Sequence, residues 1–370
     1  MTDAPQDLPP APSLRRGWTT GSCATAATRA AFEALVTGVF PDPVDIALPN
    51  GMRPAFALAM TERGDDWARA GVVKDAGDDP DVTHGALVIS TVWRGPPGSG
   101  VTFRAGPGVG TVTRAGLPIP PGEPAINPVP REMMRVAVAE AAALLDVPGD
   151  VVVEISIPGG ERIAERTLNG RLGIVGGLSI LGTTGIVTPY SCAAWIHSIH
   201  RGVDVARAAG LAHVAGATGD TSEKAIQRLH GLDEIALIDM GDFVGGMLKY
   251  VRRHPVERVT VAGGFAKMTK LGQGLLDLHS RRGEVDLDWL ADRVREAGGA
   301  PDFAEAMRRA NAANEVLLRS RDAGLDLGAV VADAAWRTAA KAIAGTGVSL
   351  EVVVFDRAGG LVARTPFHPA

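Results

Sequence analysis

The residues whose types and spacing could do chemistry gather in glycine-rich turns, and residues 215–225 (AGATGDTSEKA) are the most suggestive. This turn follows an apolar run and opens a helical pattern. Gly216 and Gly219 would let a ligand approach the backbone, and the first helical amides, beside Thr218 and Asp220, would meet a polar or anionic group. The turn lacks GxGxxG, so a ligand turn and an ordinary strand-to-helix turn both stay open, with Ser222 and Lys224 reading as a cap and a surface charge. The next apolar run ends in IDMGDFVGG, which sets Asp239 and Asp242 where a nucleotide-binding βαβ unit presents a carboxylate to ribose hydroxyls. For Asp242, capping of the following helix is the alternative. A third run ends in VAGGFAKMTKLGQG and adds Gly263, Gly264, Lys267 and Lys270. Such turns line the carboxyl edge of a parallel sheet, where ligands bind in open α/β folds.

The first half carries a different set. RRGWTTGSCATAA places Thr19, Thr20 and Ser22 just ahead of a helix, whose first amides could grip an anion. Cys23 there reads either as an activated thiol or as a small buried side chain, with no histidine adjacent in sequence to make it a nucleophile. The run VVKDAGDDPDVTHG packs Lys74, Asp75, Asp78, Asp79, Asp81 and His84 together. Such a loop could hold a hard cation or offer a general base, and solvated turn chemistry is the alternative. Two stretches dense in glycine and proline, 106–131 and 169–191, interleave apolar residues and so read as a shaped ligand wall rather than linkers. They carry Asn127, Arg131, Asn169, Arg171, Thr183 and Thr184.

Elements must position these residues. An alanine-rich run after Gly21 predicts a helix ending near Gly38, and apolar runs at 44–48, 55–59, 67–73, 86–92, 101–104 and 151–157 predict strands. Residues 131–145 predict a second helix, introduced by Pro128 and Pro130. From about residue 206 the pattern changes: short strands at 212–215, 235–238 and 259–261 alternate with helices, which predicts βαβ units and a parallel sheet. Single helices at 302–319 and 329–343 and a strand at 350–355 complete the chain. The expected architecture is a two-domain α/β protein: a disordered tail over 1–14, an α+β domain over 15–205, and a Rossmann-like βαβ domain over 206–370.

Composition narrows the class. The formal net charge of −5 over 370 residues, with basic residues scattered, lacks the footprint of a nucleic-acid binder. The only cysteines, Cys23 and Cys192, have no metal-ligand spacing, so neither a structural metal site nor a disulfide is expected. The start of the chain has no basic or apolar segment of a signal peptide, which points to the cytoplasm. Residues 172–196 lack charge over the length of a membrane span, but their glycines, Pro189 and threonines argue for buried turns instead.

Taken together, GWTTGSCATAATRAA, VVKDAGDDPDVTHGA, GVGTVTRAGLPIPPGEPAINPVPR, NGRLGIVGGLSILGTTGIVTPYS, ATGDTSEKA and GDFVGGMLKY closely resemble the CbiD family, the cobalt-precorrin-5B C(1)-methyltransferases. The resemblance runs in order from residue 15 to beyond residue 250. It implies methyl transfer from S-adenosylmethionine to ring carbon C1 of a cobalt corrin precursor, giving cobalt-precorrin-6A, with cobalt belonging to the substrate and no protein metal site. Under it, Gly216, Thr218, Gly219, Asp220, Asp239, Asp242, Gly263 and Gly264 are expected to hold the donor. Thr19, Thr20, Ser22, Lys74, Asn127, Arg131, Asn169, Arg171, Thr183 and Thr184 are expected to face the corrin, whose carboxylates suit the arginines. His84 and Asp75 are the candidates for moving a proton. A small-molecule corrinoid partner is thus expected, without nucleic acid or membrane, and a homo-oligomer stays open. Two other classes compete: a nucleotide- or phosphate-utilising transferase, which the missing GxxxxGK[ST] disfavours, and a tetrapyrrole carrier without catalysis.

Overall fold

The computed structural model describes residues 14–280 and 282–370, so all but the end of the expected tail lies outside the described residues. The chain divides into two compact units, one formed by residues up to 114 with 118–191, the other by 115–117 with 192–370. The second unit therefore begins ahead of residue 206. Helix α4 (Cys192–Ala208), which follows the short α3 (Gly160–Ala164) of the first unit, belongs to it, because Ile199, Val203 and Ala206 join that unit's core.

In the first unit, strands β1 (Met60–Arg63), β2 (Trp67–Val73), β3 (Leu87–Arg94), β4 (Val101–Ala105) and β5 (Val151–Ser156) form a mixed sheet in the order β1-β2-β3-β5-β4. Only β5 and β4 run parallel, with Val151 opposite Val101. β5 alternates cleanly, burying Val151, Val153 and Ile155 on one face, as a half-buried strand must. That face meets helices α1 (Thr20–Thr37) and α2 (Pro128–Leu145). Every residue of α1 from Thr20 to Phe32 is buried. A helix apolar or small on all sides belongs inside a core, and alanine keeps it slim enough to sit against both the sheet and α2. Two-residue ladders tie the remaining segments together: Gly17–Trp18 with Ile186–Val187, Gly108–Val109 with Gly177–Leu178, and Thr111–Val112 with Ile174–Val175. The runs expected as strands at 44–48 and 55–59 shrink to such a ladder, Val44–Asp45 with Ala55–Phe56, since Pro43, Pro49 and Pro54 remove ladder donors.

The second unit holds β6 (His213–Ala217), β7 (Leu237–Asp239), β8 (Arg258–Gly264), β9 (Ser349–Phe355) and β10 (Leu361–Arg364), ordered β7-β6-β8-β9-β10. The first four run parallel and β10 antiparallel. Val214, Val259, Val261, Leu350 and Val352 face a large core of helices, while Ala215, Ala262, Val353 and Phe355 face a smaller one. Strands buried on both faces read as continuous Val/Ala runs, which is why the sequence shows no alternation here. The helix expected over 302–319 is broken into Pro301–Met307 and Ala313–Asp322. Ala312 is extended, and Glu315 turns back to accept hydrogen bonds from the Asn311 backbone and side chain at 2.8 and 3.1 Å, capping a new helix. No helix among the described residues is long and apolar enough to cross a membrane.

Candidate active site

The strand order of the second unit reverses direction at β6, with β7 on one side and β8 on the other. β6 is followed by α5 (Asp220–His230), whose Ala225 and Ile226 pack on the smaller core, and β8 is followed by α7 (Phe265–Gly272), whose Phe265 and Met268 pack on the larger one. Neighbouring strands whose helices leave to opposite faces part at their carboxyl ends, and that switch point is where open α/β sheets bind ligands. Gly219 caps α5 and Gly264 caps α7, neither assisted by a side chain. A Cβ added at either would meet nothing within 4 Å. Between them, the Lys267 ammonium donates to the Thr218 carbonyl at 2.6 Å and lies 3.1 Å from Asp242 Oδ1. That carboxylate oxygen is buried, and although the ion pair is close, no hydrogen bond of good geometry satisfies it. Asp242 does not cap a helix: α6 (Val244–Arg253) is preceded by Phe243.

The donor-site expectations separate at this point. Gly219, Gly264, Thr218 and Asp242 come together at the crevice, and Asp239 ends β7 on the same edge. Gly216 and Gly263 serve packing instead. A Cβ at Gly216 would lie 2.4 Å from the Met247 sulfur, and one at Gly263 would lie 2.7 Å from the Thr218 hydroxyl. Asp220 is exposed and paired along its helix with Lys224 at 2.9 Å. Trp195 escaped sequence reasoning. Its half-exposed indole donates to the Asp239 carbonyl at 3.1 Å and covers Gly241. The signal was present only as one aromatic residue in an apolar stretch.

The first unit treats its polar residues differently. Thr19 caps α1, accepting from the Ser22 amide at 3.2 Å, while the Gly21 amide donates to the Leu181 carbonyl at 2.8 Å and the Ser22 hydroxyl to the Gly185 carbonyl at 2.5 Å. Thr20 is buried and bonds both polar groups of Leu181. The anion expected at this helix start therefore competes with the chain itself, since Leu181 takes the Gly21 amide and the Thr19 hydroxyl takes the Ser22 amide. Thr183 and Thr184 belong to the covering segment, residues 181–185, and are exposed. Cys23 is buried, and burial pushes its thiol up to about 12, which leaves it inert.

In the aspartate-rich loop every carboxylate answers to the chain. Asp75 pairs with the Arg15 guanidinium and accepts from the Gly77 amide, Asp78 accepts from the Arg15 amide, Asp79 from the Tyr190 amide, and Asp81 from buried Lys74 at 2.6 Å. The Arg15 hydrogen bond holds Asp75 down to about 2, too acidic for a base at neutral pH. His84 sits 3.9 Å from Asp75, but its Nδ1 accepts the Ala76 amide at 3.1 Å. Its basic lone pair is engaged, and the neutral ring carries its proton on Nε2.

The substrate arginines and asparagines also separate. Arg131 gives its guanidinium to the carbonyls of Ile126 and Pro124 at 2.8 and 3.0 Å and to Glu123 at 3.1 Å, clamping the loop ahead of α2. Asn169 is buried, bridging the Gly177 carbonyl at 2.9 Å and the Ser179 hydroxyl at 3.2 Å. Arg171 is half-buried, and Asn127 precedes α2 without capping it through its side chain.

With this geometry in place, likeness to known proteins is informative. A family model described as CbiD matches residues 8–189, and one described as CbiD, C-terminal domain, matches residues 277–366. The chain is 69% identical over 351 residues to a cobalt-precorrin-5B C(1)-methyltransferase of Bradyrhizobium sp., covering 95% of this chain and 93% of that protein. A protein of the same name from Agrobacterium fabrum is 63% identical over 358 residues, covering 97% of this chain and 94% of its own length. The crystal structure of a cobalamin biosynthesis protein (cbiD) from Archaeoglobus fulgidus aligns at 27% identity and a TM-score of 0.40, over 73% of this chain and 83% of that one. The two family models take up the segments that build the first unit's sheet and the second unit's final helices with β9 and β10, and the named relatives span nearly the whole chain: it belongs to the CbiD family.

Proposed function

We propose that this chain performs the reaction its relatives are named for, methylation of C1 of cobalt-precorrin-5B, with S-adenosylmethionine as donor and cobalt-precorrin-6A as product. The observation that carries the donor site is the pair of open helix caps, Gly219 and Gly264, set at the reversal of strand order beside Asp242 and Lys267. A Rossmann-like reading of the second unit is supported by its parallel strands, its switch point and the carboxylates at the strand ends. The fit is chemical as well. Asp242 keeps a buried oxygen without a well-formed hydrogen bond, an acceptor suited to a ribose hydroxyl, while Asp239 ends the adjacent strand and Trp195 offers an apolar face beside it.

When bound, the donor supplies an electrophilic methyl group on a sulfonium, and transfer to a carbon nucleophile needs alignment and exclusion of water rather than a protein nucleophile. The chain's own contribution is then positional. Lys267 fixes the Thr218 carbonyl and the Asp242 carboxylate, so the crevice is preformed. In the first unit, the rigid glycine loops present their surface to the corrin, with His84 available as a donor through Nε2 and Arg171, Thr183 and Thr184 among the flanking polar groups. Cobalt enters as part of the substrate, and the same reading places the protein in the cytoplasm.

Incubation with methyl-labelled S-adenosylmethionine and cobalt-precorrin-5B tests the reading, with label expected at C1 of the corrin. Unmethylated corrin returned after prolonged incubation would leave a carrier. Tight binding of ATP with no binding of S-adenosylhomocysteine would instead support a nucleotide-utilising transferase.

A further inference from the structure

We propose that Arg135 anchors a substrate carboxylate in a cavity of the first unit, a role the sequence had pointed towards Arg131. The inference rests on the tetrapyrrole reading above. The cavity measures about 400 Å³ and is lined by Ile119, Pro120, Val129, Arg131, Glu132 and Arg135, with further prolines completing its wall. Proline supplies neither an amide donor nor a flexible side chain, so the proline side of this wall is apolar and stiff, facing the charged side chains of α2. Among the described residues, the cations that line the cavity are the two guanidiniums.

The two arginines lie one helical turn apart on α2 and flank the same ring, 5.4 and 5.2 Å from the centroid of Phe103. They differ in what remains of their donors. Arg131 is only 16% exposed and is bonded to two carbonyls and a carboxylate of its own loop. Arg135 is 46% exposed, makes no hydrogen bond among the described residues, and approaches only the exposed Glu132, at 3.8 Å. That separation is too long for a hydrogen bond, and an exposed ion pair of this kind is weak. The cation–π contact with Phe103 helps to position the guanidinium while its donors stay open, and a guanidinium with open donors suits bidentate capture of a carboxylate.

Volume selects the ligand. Sites that enclose a whole ligand span roughly 300–1,000 Å³, and this cavity sits at the small end. It therefore takes one edge of a macrocycle: an apolar ring against Ile119 and Val129, with a carboxylate-bearing arm reaching Arg135. A precorrin carries acetate and propionate arms on such ring edges.

The test compares Arg135→Gln and Arg135→Lys with the wild-type protein. For cobalt-precorrin-5B turnover, Arg135→Gln is expected to raise KM roughly ten- to a hundredfold with kcat little changed, and Arg135→Lys to recover part of the loss. In direct titration, a cobalt corrin bearing free carboxylates should bind Arg135→Gln more weakly by the same factor, whereas the same corrin methyl-esterified should bind variant and wild type alike. Wild-type KM and wild-type binding of the free acid by Arg135→Gln would overturn the proposal. Absence of methyl transfer by the wild-type protein would overturn the methyltransferase reading instead, and the titration would still decide whether the cavity recognises carboxylates.

Discussion

At Gly177 in the first unit an added Cβ would lie 2.3 Å from the carbonyl carbon of Gly108, and at Gly108 one would lie 1.9 Å from the Ile157 carbonyl oxygen. At Gly219 and Gly264 in the second unit it would meet nothing within 4 Å. Both regions are glycine-rich turns in sequence, yet the residue acts in opposite ways. In the first unit glycine lets backbone lie on backbone, as in the parallel pairing of Gly108 with Gly177, and Asn169, Arg131 and Thr20 then consume the exposed carbonyls and amides. At Gly219 and Gly264 in the second unit glycine keeps space and leaves polar groups waiting, unlike Gly216 and Gly263 beside them. A glycine motif thus says only that a side chain is excluded; the neighbour decides whether a backbone or a ligand takes its place.

The most severe way to probe this contrast is Gly108→Ala. Gly108 sits at φ +79° with a carbonyl in the way of any side chain. The substitution should cost roughly 3 kcal/mol or more, read as a large fall in the urea midpoint, because left-handed strain and overpacking combine. Near-normal stability would mean the first-unit loops are not packed as described.

Arg131→Ala comes next. Removing a guanidinium that serves the Ile126 and Pro124 carbonyls should lower stability by about 2 kcal/mol in denaturant unfolding, with S-adenosylhomocysteine affinity unchanged. A rise in KM for the corrin at unchanged stability would return Arg131 to the substrate.

The second unit responds the other way. Lys267→Met should weaken S-adenosylhomocysteine roughly tenfold by calorimetry, since Asp242 loses its counter-ion and Thr218 its donor, while the core beneath is untouched. An equal loss of stability with no change in affinity would make Lys267 structural.

The smallest effect sharpens the contrast between the two ends of the second unit's sheet. At the amino end of β6, His213 Nε2 lies 2.8 Å from the Thr260 hydroxyl, which donates to buried Glu351 at 2.9 Å, so the imidazole is the donor in its neutral form. Burial, aided by His230, lowers His213 to about 4. The unfolded chain takes up this proton near the ordinary histidine value of about 6.5 and the folded chain resists until about 4. Stability should therefore be full above pH ~6.5 and fall as pH drops towards 4, by about 1 kcal/mol for a half-buried ring, and His213→Gln should flatten that slope in thermal melts. An unchanged slope would remove His213 from the account.

Periodicity made much of the frame legible. The strand at Trp67–Val73 and the start of α1 follow directly from their residues, and the alternation after residue 206 foretold the parallel strands. Helix Cys192–Ala208 was hidden because its first turn is apolar and continuous with a glycine-rich run, and the break at 308–312 because Glu315 caps from within a uniformly helical composition. The site was legible in kind rather than in residue. Sequence found the strand-end turns, but Gly219 and Gly216 differ only in whether Met247 stands opposite, and Arg131 and Arg135 only in which carbonyls lie within reach. Such facts belong to tertiary packing, which no local pattern encodes.

The claim that the open strand ends of the second unit hold the methyl donor is tested most directly by titrating S-adenosylhomocysteine into the wild-type protein and Gly219→Val. Gly219 is extended and faces open space, so valine should fold without strain and occupy the approach to α5. The account expects donor affinity to fall at least about tenfold while the melting temperature stays within a few degrees, roughly the effect of a surface substitution. Unchanged affinity with the same melting temperature would contradict it and move the donor away from this crevice.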